Sequence, residues 1–334
     1  MKQAGKESGL NIVGCWRPGI RAFLAFVTIA FAAQAATAQD EGLGLSFGLA
    51  PGVRWVQLPE VRAGLIQVSG GIVPFGATPE SALGWGIDGF VGYALGDDAA
   101  WIGKADDIVL RVRTVFADDL DSPLMPPGQY GQMPVDGSGV SDGNAVEAGA
   151  TADSSVGYAR YDVDLVYRAE LRFDSTIRLR PLIGVAYSRV AQDLSFHSAP
   201  FNGFEIRDEL STNSFGGVLG LEAEFELPFH LYVDLGAESD LLAARSELAG
   251  LQNFSGSLLS AADESTDFVW RLRGHLGFGW TWNEMLSIGV SGTADWGRMP
   301  TVVHPLFDAV PHESFIDIDD SLVVGGNLTF SVVF

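Results

Sequence analysis

SLVVGGNLTFSVVF, residues 321–334, is the stretch of sequence that decides the fold. Every second position holds an apolar residue or glycine: Leu322, Val324, Gly326, Leu328, Phe330, Val332 and Phe334. The intervening positions are mostly small or polar. A period of two residues places the two sets on opposite faces of a β-strand. The stretch is therefore predicted to be a strand with one apolar face.

The same alternation recurs upstream, and it is organised by the lengths of the connections. Tight turns, such as Asp174-Ser175 and Asn283-Glu284, alternate with long polar segments at 117–157, 191–213, 245–267 and 297–320. Outer-membrane barrels alternate tight periplasmic turns with long external loops in this way. The pattern predicts an all-β protein, a transmembrane up-and-down antiparallel β-barrel of about ten strands.

Two other strand counts stay open at this point. Eight strands would remain if the first two segments packed elsewhere, and twelve would need residues 61–73 to supply a hairpin. Residues 59–81 either extend the first strand or form a loop over or inside the barrel mouth.

The composition agrees with a membrane barrel. The chain of 334 residues is 47% hydrophobic, contains 41 glycines and is 19% charged, whereas soluble proteins average about 25% charged residues. After the N-terminal region no run reaches the ~18 apolar residues that a membrane helix needs. A membrane protein without such helices must satisfy its backbone in a closed sheet.

Residues 1–38 are predicted to be a cleaved signal peptide. Basic residues precede an apolar core at 22–33, and Ala36-Thr37-Ala38 matches a signal-peptidase site. The mature barrel would then cover 39–334 in the outer membrane of a Gram-negative bacterium. The single cysteine, Cys15, would leave with the signal. The net charge of −22 argues against a nucleic-acid partner.

Charged residues occupy the positions opposite the apolar faces, where they would line the barrel lumen. Arginines and acids tend to alternate from strand to strand. We favour a salt-bridged polar core, since each buried charge needs a partner; a narrow charged pore or ligand site is the alternative. The predicted lumen-lining residues are Arg111, Arg113, Asp162, Asp164, Arg168, Glu170, Arg172, Arg178, Arg180, Glu222, Glu224, Glu226, Asp234, Glu238, Arg271, Arg273 and His275.

The inward face of the closing strand is uncharged, so the charged network is expected to be lopsided and concentrated between about 108 and 275. His275, Ser291 and Asp295 are a conceivable hydrolase grouping, but lumen packing explains them as well, and no catalytic residue or enzymatic activity is expected. The acidic clusters at 118–121 and 317–320 lack the spacing of a calcium loop. No metal site or cofactor is expected.

With its signal sequence, alternating connections and terminal Thr329-Phe330-Ser331-Val332-Val333-Phe334, the chain resembles the small outer-membrane barrels of Gram-negative bacteria, the OmpA/OmpW-like porin group. We expect a monomer with a structural or small-solute porin role, in contact with outer-membrane lipids and lipopolysaccharide. The resemblance implies that Phe334 is the signal read by the barrel-assembly machinery. A surface adhesion or ligand-binding barrel that acts through its external loops is the alternative, and a protease or lipid-modifying barrel is a weaker one.

Overall fold

The computed structural model describes residues 44–57, 62–68, 71–77, 81–95, 106–121, 130–132, 152–172, 176–198, 204–254, 257–282, 285–303 and 315–334. The predicted signal peptide lies outside these residues. The strands are β1 (Leu45–Gln57), β2 (Arg62–Val68), β3 (Gly71–Ala77), β4 (Ser81–Ala94), β5 (Asp107–Asp121), β6 (Tyr130–Gln132) and β7 (Ala152–Arg168). They continue with β8 (Leu171–Arg172), β9 (Ile177–Ser198), β10 (Phe204–Leu227), β11 (Leu231–Phe254), β12 (Ser257–Trp282), β13 (Leu286–Val303) and β14 (Phe315–Val333).

Ten of these strands close into an antiparallel barrel, as predicted. The order is β1-β4-β5-β7-β9-β10-β11-β12-β13-β14, so each strand pairs with its neighbour in sequence. The barrel closes between the first and last strands, from Ser46↔Val333 to Gln57↔Leu322. Among the described residues, no helix is long and apolar enough to cross a membrane.

The segment at 59–81 settles the strand count. It forms a hairpin of β2 and β3, and β2 also pairs with β6, giving a separate three-stranded sheet. The hairpin that twelve strands would require therefore exists, but it lies outside the barrel sheet.

The upper end of the barrel is the end that holds Gln57, Ser198 and Val303; the lower end holds Phe334 and the tight turns. Most of the segments predicted as long loops are strand at the upper end. Strands β9 and β10 leave only 199–203 between them, and β11 and β12 leave only 255–256. The connections between β5 and β7 and between β13 and β14 are also shorter than predicted.

The predicted loop bounds were too wide because the two faces change character along each strand. In the lower part, apolar side chains point outward, and the inward positions hold the charged residues together with buried apolar ones such as Val166 and Val218. In the upper part of β10 and β11, polar residues such as Glu209 and Glu247 point outward, while Leu210 and Leu248 are buried inside. A pattern of apolar exterior residues ends at this reversal, although the strand continues.

An apolar band surrounds the barrel. On β12 it runs from Phe268 to Trp282, which spans about 35 Å of height for a tilted strand. Trp270 stacks edge-to-face on Trp296 of β13 at 4.7 Å near the upper limit, and Trp280 contacts Trp282 at 5.6 Å near the lower limit. Large apolar residues are exposed on the barrel strands at this level, among them Val112, Leu165, Val185, Leu219, Leu235, Val290 and Leu328.

Candidate functional site

The lumen contains a dense network of ion pairs, centred on β5, β7, β11 and β12. Arg271 on β12 bonds Asp162 on β7 at 3.0 Å and Asp240 on β11 at 2.7 Å. Arg273, one inward position lower, contacts Asp164 at 3.4 Å and also bonds Asp240. These contacts reach across the lumen, because β7 and β12 are not neighbours in the sheet.

The arginines of β5 share the same acids. Arg111 lies 2.5 Å from Glu238 and 3.3 Å from Asp164, and Arg113 lies 2.6 Å from Asp164. The Asp164 side chain is 0% exposed and contacts three guanidinium groups, those of Arg111, Arg113 and Arg273. Arginine suits this position, since its planar group offers several donors at once.

A second layer of ion pairs lies towards the lower end. Arg168 bonds Asp107 at 2.5 Å and Glu222 at 3.0 Å. Arg178 and Arg180 both bond Glu224 at 3.0 Å. The remaining contacts of this layer are Arg178 with Glu226, Arg180 with Glu170 and His275 with Asp234.

One predicted lumen residue lies elsewhere. The side chain of Arg172 is 62% exposed and bonds Glu170 at 2.5 Å. Arg172 belongs to the short strand β8, because β7 ends at Arg168 and the alternation of exposed and buried side chains breaks at the buried Ala169. The other predicted residues take part in the lumen network described above.

The network is concentrated between 107 and 275, close to the expected range, but it also extends beyond it. Arg54 on β1 is buried, bonds Asp88 on β4 at 2.9 Å and donates to the Oδ1 of Asn327 on the closing strand at 2.5 Å. Arg160 on β7 bonds Asp295 on β13 at 2.5 Å. The network therefore runs around the whole lumen, even though β14 contributes only an amide.

The conceivable hydrolase grouping does not form. Asp295 is bonded to Arg160, whereas His275 lies 3.4 Å from Asp234 on the neighbouring strand β11. In the β12–β13 register, His275 is opposite Thr293. Ser291 and Asp295 each lie two residues from Thr293 along β13. Both groups thus have partners that explain their positions without catalysis.

Sequence reasoning missed Arg54, Asp88, Asp107, Arg160 and Asp240 as members of the network. The glycines around Arg54 could have pointed to its place in the network, because its side chain lies against three inward-facing glycines. A Cβ atom at Gly325 would lie 2.8 Å from the Arg54 Nη1, one at Gly52 2.7 Å from it, and one at Gly86 3.1 Å from the Nε. Glycines on three adjacent strands therefore make the space for this one side chain.

The upper lumen is apolar. A buried cluster there takes side chains from nine of the ten barrel strands, β12 being the exception. Leu210 and Leu248 are directly opposite each other on β10 and β11, and both are buried. The other members are Val56, Ala82, Val115, Ala117, Val156, Tyr158, Val190, Leu194, Met299, Val302, Ile316 and Val323.

A cavity of about 260 Å³ lies below this cluster. Val115 and Val323 belong to both the cluster and the cavity wall. Ion-paired side chains such as Arg113 and Glu238 form one side, and the smaller Ser291 and Thr329 contribute to the other. The charged residues that line it are already in ion pairs. Among the described lining residues, the cavity therefore offers no unpaired charge to a ligand. Across the described residues, no group of three or more His, Cys, Asp or Glu is placed to hold a metal ion.

Neither a protein-family model nor a curated protein matches this chain. Among solved structures, the outer membrane protease OmpT from Escherichia coli is similar with a TM-score of 0.48 and 12% identity, over 90% of this chain and 100% of that one. The translocator domain of the autotransporter NalP from Neisseria meningitidis has a TM-score of 0.33 and 10% identity, over 97% and 100%. The Pseudomonas putida toluene transporter TodX has a TM-score of 0.28 and 10% identity, over 87% and 90%. The three are named for different activities, so the similarity indicates no single one.

Proposed function

We propose that this chain is a structural β-barrel of the Gram-negative outer membrane, and that its barrel does not conduct solutes. The observation that carries the proposal is the filled lumen. An apolar cluster from nine strands occupies the upper lumen, and the region below it is crossed by paired charges.

Placement in a membrane is supported by the distribution of polarity. Exposed apolar residues form a band about 35 Å tall, close to the ~30 Å hydrocarbon core of a bilayer. The sheet is closed, as a lipid environment requires. Charges at the level of this band lie in the lumen and have partners, whereas in a soluble barrel they would be expected on the outer face.

A porin role is less compatible with this interior. A solute that passed through would have to separate the ion pairs of Arg113, Asp164 and Arg273 and then cross the buried layer around Leu210. Separating a buried ion pair costs about 3–5 kcal/mol, and several pairs share the same acids. The open polar lumen of larger barrels avoids this cost.

Conductance in planar bilayers tests the proposal. Purified wild-type protein is expected to give no stable open channel. The double variant Leu210→Ala/Leu248→Ala thins the apolar cluster and is expected to raise ion leakage, whereas Leu251→Ala, an exposed position of β11, is not. Stable ohmic channels formed by the wild-type protein would contradict a structural, non-conducting barrel.

Binding at the cell surface is a second candidate function, and the lengths of the upper strands favour it. Strand β12 has 26 residues, and β10 and β11 have 24 each. Tilted strands of 24–26 residues rise about 60 Å, roughly twice the hydrocarbon core. The barrel wall therefore continues well beyond the apolar band as a β-sheet that faces water.

A further inference from the structure

The barrel wall is interrupted between β12 and β13 from the upper limit of the apolar band upwards. The register of these two strands ends at Arg271↔Gly297, at the level of the contact between Trp270 and Trp296. Strand β12 continues beyond this point, paired only with β11, from Leu241↔Trp270 to Phe254↔Ser257. We call residues 257–270 the free edge of β12; within the part of the chain that the structure describes, no strand pairs with it on the β13 side.

The interruption is built into the packing of β13. Beyond Gly297 this strand leans into the barrel mouth, where Met299 and Val302 are buried in the apolar cluster. The Gln192 Nε2 donates to the carbonyl oxygen of Pro300 at 2.8 Å. Pro300 has no N–H group to offer a neighbouring strand. A β13 held in this position cannot also pair with the free edge.

The partner strand β14 follows β13 inward. Ile316 is buried in the same cluster, and its backbone N–H donates to the Asp263 Oδ2 at 2.9 Å. This bond holds the β13–β14 hairpin against the inner face of β12. The hairpin therefore covers the mouth and leaves the outer side of the seam open.

A free strand edge is a template for another strand. Its row of N–H and C=O groups can pair with an extended chain, and proteins usually block long edges for this reason. On its outer face the free edge has accessible side chains: Phe268 is 64% exposed, and Glu264 is 71% exposed and contacts Arg245 of β11 at 3.4 Å. Extended peptides bind sheet edges of this kind through backbone hydrogen bonds, and side-chain contacts give the specificity.

The charges on the free edge indicate what kind of strand it accepts. Asp263, Glu264 and Asp267 lie on it, and its residues include no lysine, arginine or histidine. A second copy of the chain is a poor occupant, since antiparallel self-pairing over the edge would place Asp263 opposite the same residue of the other copy, or Glu264 opposite the same residue. Like charges directly opposite each other destabilise a pair of strands. The exposed Asp317, Asp319 and Asp320 of β14 add further negative charge on the other side of the seam.

We propose that the free edge of β12 is a strand-addition site for an extended, lysine- or arginine-bearing polypeptide segment. The added strand would occupy the place that β13 leaves, with its basic side chains near Glu264 and the acids of β14. The inference rests on the proposed placement of the upper end outside the cell, where such a segment would meet it.

Short labelled peptides test this inference on the full-length mature protein in detergent micelles. The probe alternates lysine with valine, and two controls replace lysine with glutamate or carry N-methyl groups at alternate backbone amides. Fluorescence polarisation is expected to show binding of the lysine peptide, with the glutamate peptide at least about tenfold weaker because like charges repel. Hydrogen exchange at residues 260–270 is expected to slow when the lysine peptide is present.

Two charge variants localise the binding. Glu264→Lys, on the free edge, is expected to weaken binding of the lysine peptide several-fold. Glu209→Lys changes an exposed acid of β10, away from the seam, and is expected to leave binding nearly unchanged. Both substitutions alter the net charge equally, so a general electrostatic effect would move them together.

Three results would overturn the inference. Equal binding of the N-methylated peptide would show that backbone pairing is not involved, and unchanged exchange at 260–270 would place the peptide elsewhere. Protection of these amides in lipid vesicles without peptide would show that lipid covers the seam. None of these results depends on conductance, so the structural role proposed for the barrel stands or fails separately.

Discussion

At the scale of single residues, the lumen charges follow from the two-residue period of the strands. Arg111 and Asp164 are opposite each other in the β5–β7 register, and the period alone places both side chains inside. Contacts across the lumen do not follow from it. Whether Arg271 reaches Asp162 on β7 depends on the barrel radius and on the small residues between them, which a one-dimensional pattern does not contain.

Asp164 is the residue at which loss of charge is expected to cost most stability. Replacing it with alanine leaves Arg111, Arg113 and Arg273 without one of their buried partners. We expect Asp164→Ala to reduce the free energy of unfolding by about 3–5 kcal/mol, measured by urea titration in detergent. Glu247→Ala removes an ion pair with Arg245 that is more than half exposed, and its expected cost is below ~1 kcal/mol. Similar costs for the two variants would contradict a buried, stabilising network.

Asp193 is expected to respond to pH. It lies above the apolar band on the outer face, in a lateral row with Asp118, Gly157 and Glu209. Partial burial raises the pKa of Asp193, and the carboxylates of Glu209 and Asp118 raise it further. A raised pKa in the folded state means that ionisation of Asp193 destabilises the fold, so this penalty appears as the pH rises through the carboxyl range and is absent in acid.

Asp193→Asn is therefore expected to stabilise the protein at neutral pH by about 0.2–1 kcal/mol, the size of a like-charge pair across strands. The difference from wild type should shrink as the pH falls below the usual aspartate range. Unfolding titrations at several pH values measure it, with the exposed Asp319→Asn as control. A stabilisation that stays constant down to acidic pH would rule out this electrostatic cause.

At the scale of elements, the lower half of each strand was predictable and the upper half was not. The apolar exterior of β12 from Phe268 to Trp282 is a clear period-two pattern. Above it, the same strand buries Ala261 and exposes Glu264, so its polarity is that of a soluble sheet. Small and polar residues at 245–267 resemble a loop in composition, and only the pairing of β11 with β12 shows that 245–254 and 257–267 are strand.

The closing strand gives a prediction about assembly. The backbone N–H of Phe334 donates to the carbonyl of Leu45 at 2.8 Å, and its ring lies edge-to-face on Phe47 at 5.9 Å. Deletion of Phe334 removes both contacts at the seam where the barrel closes. We expect much less folded protein in the outer membrane, measured by the heat-dependent gel shift of barrel proteins, whereas Val333→Ala at an exposed position should assemble normally. Normal assembly without Phe334 would count against its role as the assembly signal.

At the scale of the whole molecule, the sequence predicted a ten-stranded antiparallel barrel because connection lengths and strand periods agree along the chain. The filled mouth was not predictable, since it depends on β13 leaning inward. Pro300 and Met299 are unremarkable in the sequence, and only the fold brings them against Gln192 and the apolar cluster.

Orientation in the membrane is the prediction for the whole molecule. An epitope tag inserted between Phe254 and Ser257 lies at the upper end of the barrel. We expect antibodies to bind this tag on intact cells, because the lower end carries the tight turns and the closing strand. A tag in the turn at 283–284 should be detected only after the outer membrane is permeabilised; the opposite pattern would invert the proposed topology.

The register of the lumen charges bears on how the barrel enters lipid. In the hairpin of β5 and β7, Arg111 and Arg113 are directly opposite Asp164 and Asp162. In that of β9 and β10, Arg178 and Arg180 are opposite Glu224 and Glu222, and in that of β11 and β12, Arg271 and Arg273 are opposite Asp240 and Glu238. At these positions each hairpin thus holds two arginines directly opposite two carboxylates. If the barrel inserts in units of one hairpin, these charges therefore enter the hydrocarbon as neutral pairs. The pairs of Arg160 with Asp295 and of Arg168 with Glu222 form only once the units have met.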